Sequence, residues 1–391
     1  MNKKKNFSYY ILIIFTILIC FPKSFMDDYV IVGNIIYGLR IFIGFIVSVL
    51  SVASIKKNGL SKLSLLFFVF ILVALLSSLI NSRSIIYFLK VYFVNISVLL
   101  FSELTFRNEY KNSIIDFISK FLYYNLIINL FSIVLKNVIG INIFNEASTY
   151  YLGMDNRFIL FIIPCLLSTY IMYIDSNNNK YKNRFIFTFI IGILSLLLTW
   201  SVTSLISMIV VGLLFLVFTK KNIKLNSKIV LLLFLVVNYL FVVLKINNIF
   251  NDFIVGVLHK SSTLSYRTIL WDEAIRLMSV SPISRFLGLG YFDTSSIIPI
   301  YVSGAGVNHL HNLIIDITFS SGLIGMFIYF LALWNISKNI DGMKDNISSN
   351  VLALLFLSLL IVVIFDSFEL YPIYYFILCQ LYYSKKLVEE V

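Results

Sequence analysis

The feature that most constrains this chain of 391 residues is a series of apolar runs that recurs from one end to the other. A helix needs roughly 20 apolar residues to cross the hydrocarbon core of a bilayer. About twelve runs have the composition for this, which predicts an all-α polytopic membrane protein of about twelve transmembrane helices. The predicted spans are 7–22, 29–55, 63–81, 84–105, 113–139, 157–175, 184–200, 202–219, 229–247, 312–336, 350–366 and 369–384.

The composition agrees with lipid as the main solvent. Hydrophobic residues make up 60% of the chain and charged residues 13%, whereas soluble domains are about half apolar and a quarter charged. Such an excess cannot be buried in a water-soluble core. A lone signal peptide does not explain it, because apolar segments recur along the whole chain. The three cysteines, Cys20, Cys165 and Cys379, lie within these segments and indicate core residues rather than a disulfide framework.

The distribution of Lys and Arg predicts the orientation of the spans. The net charge is +12, which in a soluble protein would suggest nucleic acid. Here the basic residues fall mostly in short gaps between spans, so nucleic acid is not predicted as a partner. Every second gap is rich in them, as cytoplasmic gaps are, which predicts cytoplasmic N- and C-termini. The basic gaps hold Lys3–Lys5, Lys56–Lys62, Arg107 and Lys111, Lys180–Arg184, Lys220–Lys228, Lys338 and Lys344, and Lys385 and Lys386.

The same orientation divides the chain into three parts. Residues 1–245 hold nine spans, 246–311 form a long extracytoplasmic loop with short amphipathic helices, and 312–391 hold the last three spans. All three histidines lie in this loop or at its end: His259, His309 and His311. The loop also combines aromatic residues, charges of both signs and periodic apolar positions. We therefore expect it to carry the chemistry of the protein.

Within the loop, an amphipathic helix is predicted over Ser265–Met278. Its apolar residues recur at roughly helical spacing: Leu264, Trp271, Ala274, Leu277 and Met278. Arg267 lies one turn before Trp271 and shares its face. One interpretation places the helix on the membrane surface with Trp271 at the headgroup level. In the other, Arg267 holds a phosphate, because a guanidinium is always charged and can bind bidentately.

A glycine pair follows this helix. Pro282 predicts the helix end, and Gly288-Leu-Gly290 allows a tight turn. The pair lacks the third glycine and the preceding βαβ pattern of a dinucleotide-binding loop. We expect it only to redirect the chain.

The segment His309-Leu-His311-Asn312 then enters the tenth span. His311 is a candidate general base near neutral pH, with Asn312 to orient it and Asp316 on the same helical face. The alternatives are a structural histidine at a helix start and a metal site. No metal is predicted, because two histidines two residues apart on a helix point their rings in different directions and no third strong ligand is evident.

Three further cations lie within the spans or near their outer ends. Arg40 falls near the middle of its span, and an ionisable residue there indicates a cavity or, alternatively, an interhelical hydrogen bond. Lys90 and Arg157 lie near outer ends, where each could extend to the membrane surface or face a shared outer cavity. Together with Arg267 these residues would line a basic outer cavity suited to an anionic, lipid-linked substrate.

The order of these elements resembles the O-antigen polymerase and O-antigen ligase superfamily. The matching residues are Ser265-Tyr-Arg267, Trp271, Ala274, Pro282, Gly288-Leu-Gly290, His311-Asn-Leu and Gly322-Leu-Ile-Gly325, with Asp155-Asn-Arg157 similar to the polar start of a corresponding helix. There are three departures: Ser321 stands where the family often has an acidic residue, Trp200–Ser204 lacks an arginine, and the distance from Pro282 to Gly288 is longer than usual.

The resemblance implies a GT-C-like membrane glycosyltransferase that acts at the outer face of a bacterial inner or plasma membrane. Such enzymes transfer a glycan from undecaprenyl diphosphate to an acceptor without a metal or other cofactor. By the resemblance, arginines hold the diphosphate and His311 activates the acceptor hydroxyl. The predicted catalytic residues are His311 and Arg267, and the predicted substrate-binding residues are Arg157, Arg40, Asn312, His309, Asp316, Trp271 and Lys90.

The acceptor separates two activities. A polymerase joins two lipid-linked glycans, whereas a ligase transfers the chain to a lipid or wall acceptor. The abundance of Ile, Asn, Lys, Phe and Tyr indicates an AT-rich genome, which favours a polymerase of capsular, exopolysaccharide or O-antigen repeat units, working beside a flippase and a chain-length regulator. The rival interpretations are a lipid-linked oligosaccharide flippase, although the repeats and broken helices typical of transporters are not evident, and a membrane scaffold or sensor without catalysis.

Overall fold

The computed structural model describes residues 7–107, 110–144, 149–221, 223–246, 249, 255–256, 267–291 and 309–389. Almost all of the regular structure in these ranges is helical. The one sheet within them is a two-stranded antiparallel hairpin, in which Thr149–Tyr150 pairs with Gly153–Met154. The prediction of an all-α polytopic membrane protein is confirmed.

Twelve of the described helices coincide with the twelve predicted spans, and their ends differ by a few residues. The other three are short: α2, α11 and α12. In chain order the helices are α1 (Phe7–Ile19), α2 (Lys23–Asp28), α3 (Val30–Asn58), α4 (Lys62–Ile80), α5 (Ile85–Thr105), α6 (Lys111–Val134), α7 (Ile159–Ser176), α8 (Asn179–Leu198), α9 (Val202–Lys221), α10 (Ser227–Val242), α11 (Arg267–Met278), α12 (Pro282–Leu287), α13 (Leu313–Asp341), α14 (Asn346–Val362) and α15 (Pro372–Glu389).

Seven of the described helices are long and apolar enough to cross a membrane, namely α3 to α8 and α13. Four others are apolar but shorter: α1, α9, α10 and α14. Helix α15 differs from both groups, because it is rich in tyrosine and 12 of its 18 residues are buried, with the others partly buried. It packs against α5, α7 and α13, so its side chains face protein rather than lipid.

The helices differ in how much of their surface faces outward. Helix α3 exposes a stripe of large apolar residues that includes Ile31, Ile35 and Phe42. Such a surface is stable only against lipid or another apolar partner. By contrast, α7 is buried over most of its length. Helix α7 therefore lies near the centre of the bundle, and its N-terminal turn is positioned to contribute to a site there.

Helix α13 is interrupted by a kink at Gly322. The backbone there has φ 66° and ψ −171°, a region that is essentially restricted to glycine. A Cβ on Gly322 would lie 2.2 Å from the carbonyl oxygen of Phe286. A Cβ on Gly288 would lie 2.6 Å from the backbone nitrogen of Gly322. The two glycine motifs therefore pack directly on each other.

This contact fixes the loop between α10 and α13, which the sequence predicts to be the outer loop, to the membrane helices. The backbone N–H of Leu289 donates to the carbonyl of Phe319 at 2.7 Å, beside the kink. The N–H of Tyr291 donates to Ser78 Oγ at the end of α4 at 2.9 Å. The expectation that Gly288-Leu-Gly290 only redirects the chain is therefore wrong: the segment is an anchor between α4 and α13.

Candidate active site

The site is built around the first residues of α13. Asn312 caps this helix, and its Oδ1 accepts a hydrogen bond from the backbone N–H of Ile315 at 2.9 Å. Its Nδ2 donates to the carbonyl of Ile364 at 2.8 Å and to Asn238 Oδ1 at 3.3 Å. Asn312 is fully buried. We therefore assign it to positioning the start of α13, rather than to direct contact with a substrate.

The segment before the cap is held by Leu310. Its backbone N–H donates to Asp316 Oδ1 at 2.9 Å, and its carbonyl accepts from Trp271 Nε1 at 2.9 Å. Trp271 has no exposed surface, so the interpretation that places it at the lipid headgroups is wrong. Both Trp271 and Asp316 hold the backbone between the two histidines.

The two histidines share one carboxylate. Nε2 of His309 lies 3.3 Å from Asp366 Oδ1, and Nδ1 of His311 lies 3.6 Å from the same oxygen. The ring centroids are 4.0 Å apart. The expectation that the rings point in different directions is wrong, because it assumed a helix, whereas α13 begins only at Leu313. His311 instead adopts a left-handed backbone with φ 53°, which is uncommon outside glycine and often marks a functional site.

Asp366 lies in the turn between α14 and α15 and is almost completely buried. Its Oδ1 accepts the backbone N–H of Ser367 at 2.8 Å, and its Oδ2 accepts a hydrogen bond from the amide of Asn156. The carboxylate is therefore fixed by two donors and aimed at the histidines. It is a site residue that the sequence analysis missed, together with Asn156.

The ionisation states follow from these contacts. Burial alone would raise the pKa of Asp366, but the hydrogen bond to His309 and the charge interactions with both histidines hold this pKa well below its usual range. Burial lowers the pKa of His311, and the nearby Asp366 only partly offsets this. Nδ1 of His311 forms no hydrogen bond within the described part of the chain, because the closest carboxylate oxygen lies 3.6 Å away. The pair is therefore an ionised carboxylate beside a neutral imidazole, which is the state that a general base requires.

Arg267 is the first residue of α11 and is half-buried. Burial lowers the pKa of its guanidinium, and the charge of Asp366 partly restores it. Among the described residues, no side chain or backbone group forms a hydrogen bond or ion pair with it. A half-buried cation with unused donors is costly, and an anion bound here would supply the missing partner.

Arg157 lies beside the same cluster. It follows Asn156 directly, and its guanidinium stacks over the ring of Tyr371 at 5.3 Å from the ring centre. Tyr371 belongs to the turn that carries Asp366. Arg157 and Arg267 are thus the two predicted phosphate-binding arginines that the structure associates with Asp366.

The other two predicted cations of the outer cavity make different contacts. Nε of Arg40 donates to the carbonyl of Leu18 at 2.8 Å, which is the interhelical alternative. Lys90 is exposed on α5. Within the described ranges, no hydrogen bond or ion pair joins either side chain to the histidine–aspartate cluster. His259, the third histidine, lies outside the described residues.

The ligand atoms of His309, His311 and Asp366 all lie within 4.8 Å of one another, which would allow one metal ion. No third ligand is evident from the sequence, but in the structure Asp366 supplies one. However, both oxygens of Asp366 already accept N–H donors, and the cationic Arg267 interacts with the same carboxylate. These features favour histidines that face Asp366 directly without an ion between them, and the predicted absence of a metal stays a prediction.

Comparison with known proteins identifies the same region. A family model described as O-antigen ligase matches residues 187–330. The predicted family resemblance is confirmed. The matched residues run from α8 into α13. They include Arg267, His309 and His311, but not Asn156 or Asp366.

A second similarity is to the exopolysaccharide production protein ExoQ of Rhizobium meliloti (strain 1021). The identity is 32% over 91 residues, which is 21% of this chain and 20% of that protein. The match thus spans about a fifth of the length of the exopolysaccharide production protein. The matched parts of the chain are thus similar to proteins described as an O-antigen ligase and as an exopolysaccharide production protein.

Proposed function

We propose that this protein is a membrane glycosyltransferase that transfers a glycan from a lipid diphosphate to an acceptor hydroxyl. The observation that carries the proposal is the proximity of His311 to Asp366 beside Arg267, a half-buried cation that forms no hydrogen bond or close ion pair among the described residues. A base and an anion site thus lie together at one end of the bundle. That combination is what the reaction requires.

The chemistry assigns a role to each group. With Nδ1 of His311 directed at Asp366, Nε2 is the ring nitrogen that remains to take the proton of the acceptor hydroxyl. The acceptor oxygen then forms a bond to the anomeric carbon of the donor, and the bond from that carbon to the diphosphate oxygen breaks. Asp366 stabilises the imidazolium that forms. The lipid diphosphate leaves with the electron pair of the broken bond.

The arginines act on the leaving group. Arg267 and Arg157 provide fixed positive charge, and a guanidinium binds phosphate oxygens bidentately. Charge that develops on the diphosphate during bond cleavage is stabilised by donors already in place. Undecaprenyl diphosphate is the donor carrier that the family resemblance implies.

A ligase is the better supported of two acceptor choices, because the matching family model is described as O-antigen ligase. A polymerase of repeat units is the second candidate, and the similarity to an exopolysaccharide production protein favours it. The amino-acid composition, which indicates an AT-rich genome, supports the polymerase only weakly. Neither similarity favours a flippase.

The deciding experiment sizes the glycans of a deletion strain. Lipid-linked and surface polysaccharide are extracted and separated on a gel, with wild-type and variant genes as complements. Long chains that accumulate on lipid indicate a ligase, and single repeat units on outward-facing lipid indicate a polymerase. Single units confined to the inner leaflet would instead indicate a flippase and contradict glycosyl transfer.

Variants in the same strain test the site. His311→Ala and Arg267→Ala are expected to abolish the product while the protein remains inserted. Arg276→Ala is the matched control, because Arg276 lies on the same helix with its side chain 64% exposed and, among the described residues, pairs with Glu273. Normal long-chain product from both site variants would contradict the assignment.

A chelator separates the hydrogen-bonded site from a metal site. We expect transfer by the purified protein to continue in excess chelator. Loss of activity that a divalent cation restores would place an ion on His309, His311 and Asp366 instead. Metal content measured on the purified protein provides a readout that does not depend on activity.

A further inference from the structure

A second polar site lies at the end of the bundle opposite the histidine–aspartate cluster. A cavity of about 540 Å³ opens there. It forms where the C-terminal ends of α3, α5, α13 and α15 converge, and Arg107, Lys385 and Lys386 line it together with one carboxylate, Glu389. The lining therefore carries an excess of positive charge.

Arg107 is fixed in this cavity. Its guanidinium forms an ion pair with the buried Glu103 at 3.1 Å, donates to the carbonyl of Gly59 at 2.6 Å, and lies over the ring of Tyr383 at 5.8 Å. An arginine held on several sides loses little further side-chain entropy when it binds a ligand. Arg107 therefore provides a rigid wall of N–H donors.

Lys385 provides the uncompensated charge. It forms no hydrogen bond or ion pair within the described part of the chain. Its Nζ lies 3.2 Å from the position that a Cβ on Gly342 would occupy, so the amine reaches across to the end of α13. A lysine ammonium has three donors, and at least two of them remain for a ligand even where one faces this helix end.

The neutral groups around the cations also suit an anion. Nδ2 of Asn339 donates to the carbonyl of Tyr382 at 2.9 Å, which leaves its second N–H for another acceptor. The amide of Asn58 also lines the cavity, and Tyr382 and Tyr383 supply aromatic walls. Glu389 is already engaged, because its Oε1 accepts the backbone N–H of Lys344 at 2.6 Å.

We propose that this cavity binds the phosphate group of an anionic ligand, such as the headgroup of an anionic phospholipid. Basic pockets between transmembrane helices at the cytoplasmic side bind such headgroups. Basic residues at this end of the helices would be expected from their role in setting the orientation of the protein in the membrane. That role does not require a cavity, or a guanidinium fixed by a buried carboxylate. The proposal is independent of the glycosyl-transfer function, which concerns the other end of the molecule.

The test uses the full-length protein purified in detergent. Short-chain phosphatidylglycerol, phosphatidylcholine of the same chain length and inorganic phosphate are each titrated, and binding is followed by native mass spectrometry and thermal unfolding. We expect phosphatidylglycerol to bind and phosphatidylcholine not to bind. Lys385→Gln should weaken binding about tenfold, because it removes a charge-assisted hydrogen bond.

Two further variants serve as references. Lys385→Arg keeps the charge and should bind like the wild type, and it also shows whether a change at this position is tolerated by the fold. Lys220→Gln removes an exposed lysine at the end of α9 and should leave binding unchanged. Stabilisation by inorganic phosphate alone would identify a soluble phosphate compound as the ligand class of the same site.

Three results would overturn the proposal. One is binding of phosphatidylglycerol with equal affinity by the wild type and Lys385→Gln. Another is binding of phosphatidylcholine as tightly as phosphatidylglycerol. The third is absence of binding by all three probes.

Discussion

At the scale of single residues, one carboxylate organises the candidate active site. Asp366 faces both histidines, and its other contacts come from the backbone of Ser367 and the amide of Asn156. Removing the charge of Asp366 while keeping its shape should leave the fold intact, but the imidazolium form of His311 would lose its stabilising carboxylate. Substitution of Asp366 is therefore the most direct test of the proposed mechanism.

We predict that Asp366→Asn lowers the transfer rate by about 10²-fold or more, since general-base catalysis contributes at least that much. The measurement is transfer by the purified variant from a lipid-diphosphate donor. Asp272→Asn is the matched control, because this carboxylate is half-exposed on α11 and pairs with Lys245. A rate close to that of the wild type would contradict the assigned role of Asp366.

The pH dependence should report His311. Burial lowers its pKa below the ordinary 6.5, and the base is active only when neutral. The rate should therefore stay constant through neutral pH and fall only at pH values below 6.5. Because Asp366 raises the pKa of His311, Asp366→Asn should move this acid limb to lower pH. A limb unchanged by that substitution would indicate that another group titrates.

Sequence reasoning identified His309, His311 and Arg267 because their residue types carry chemistry and fall within one loop. It could not identify Asp366, which lies 57 positions beyond His309 and 210 beyond Asn156. Hydropathy placed Asp366 only at the end of a span, and nothing local indicates which residue it faces. Two polar residues at the ends of apolar runs, Asp366 and Asn156, were the available signal.

At the scale of elements, the glycine contact between the outer loop and α13 is the feature that sequence reasoning misjudged. The motif Gly288-Leu-Gly290 indicates a turn, and Gly322 indicates close packing, but their mutual contact depends on the tertiary fold. The amphipathic pattern predicted α11 well, with Trp271, Ala274 and Met278 on the buried face. Leu270 is buried as well, although the pattern did not include it.

We predict that Gly322→Ala strongly destabilises the protein. Its backbone conformation costs about 1–3 kcal/mol for a residue with a side chain, and the new Cβ would also clash with the carbonyl of Phe286, 2.2 Å away. Thermal unfolding of the detergent-purified protein measures the effect, and the fraction that remains folded after heating is determined by size-exclusion chromatography.

Gly38→Ala is the control for this substitution. Gly38 lies in α3, and a Cβ there would meet no heavy atom within 4 Å. Replacing a helical glycine by alanine at such a position stabilises a helix by about 1 kcal/mol. Equal thermal stability of the two variants would contradict the packing described for the kink.

At the scale of the whole molecule, hydropathy predicted the helices well because each apolar run is long and separated from the next by polar residues. Helix α15 shows the limit of this method, since its tyrosine-rich surface is buried in protein and has little apolar excess. The hairpin at 149–154 was not predicted, because its strands have only two residues each. Orientation rests on the counts of Lys and Arg, and stays a prediction.

The orientation can be tested with introduced cysteines. The three native cysteines are buried, so the background of labelling should be low. We predict that Val280→Cys, at a position 74% exposed in the outer loop, reacts in intact cells with a membrane-impermeant maleimide. Lys57→Cys, at the opposite end, should react only after lysis. The reverse labelling pattern would contradict the predicted orientation and indicate the opposite topology.

The composition of the cluster also bears on how such a protein can be divided or recombined. His309 and His311 lie within the segment that matches the family model, 187–330, but Asn156 and Asp366 lie on either side of it. A fragment or chimera cut at those limits would carry the imidazoles without the carboxylate that orients them. Under the proposed function, the loop between α10 and α13 is therefore not sufficient for catalysis on its own. An exchange of this loop between relatives would have to preserve its contacts with α7 and with the turn between α14 and α15.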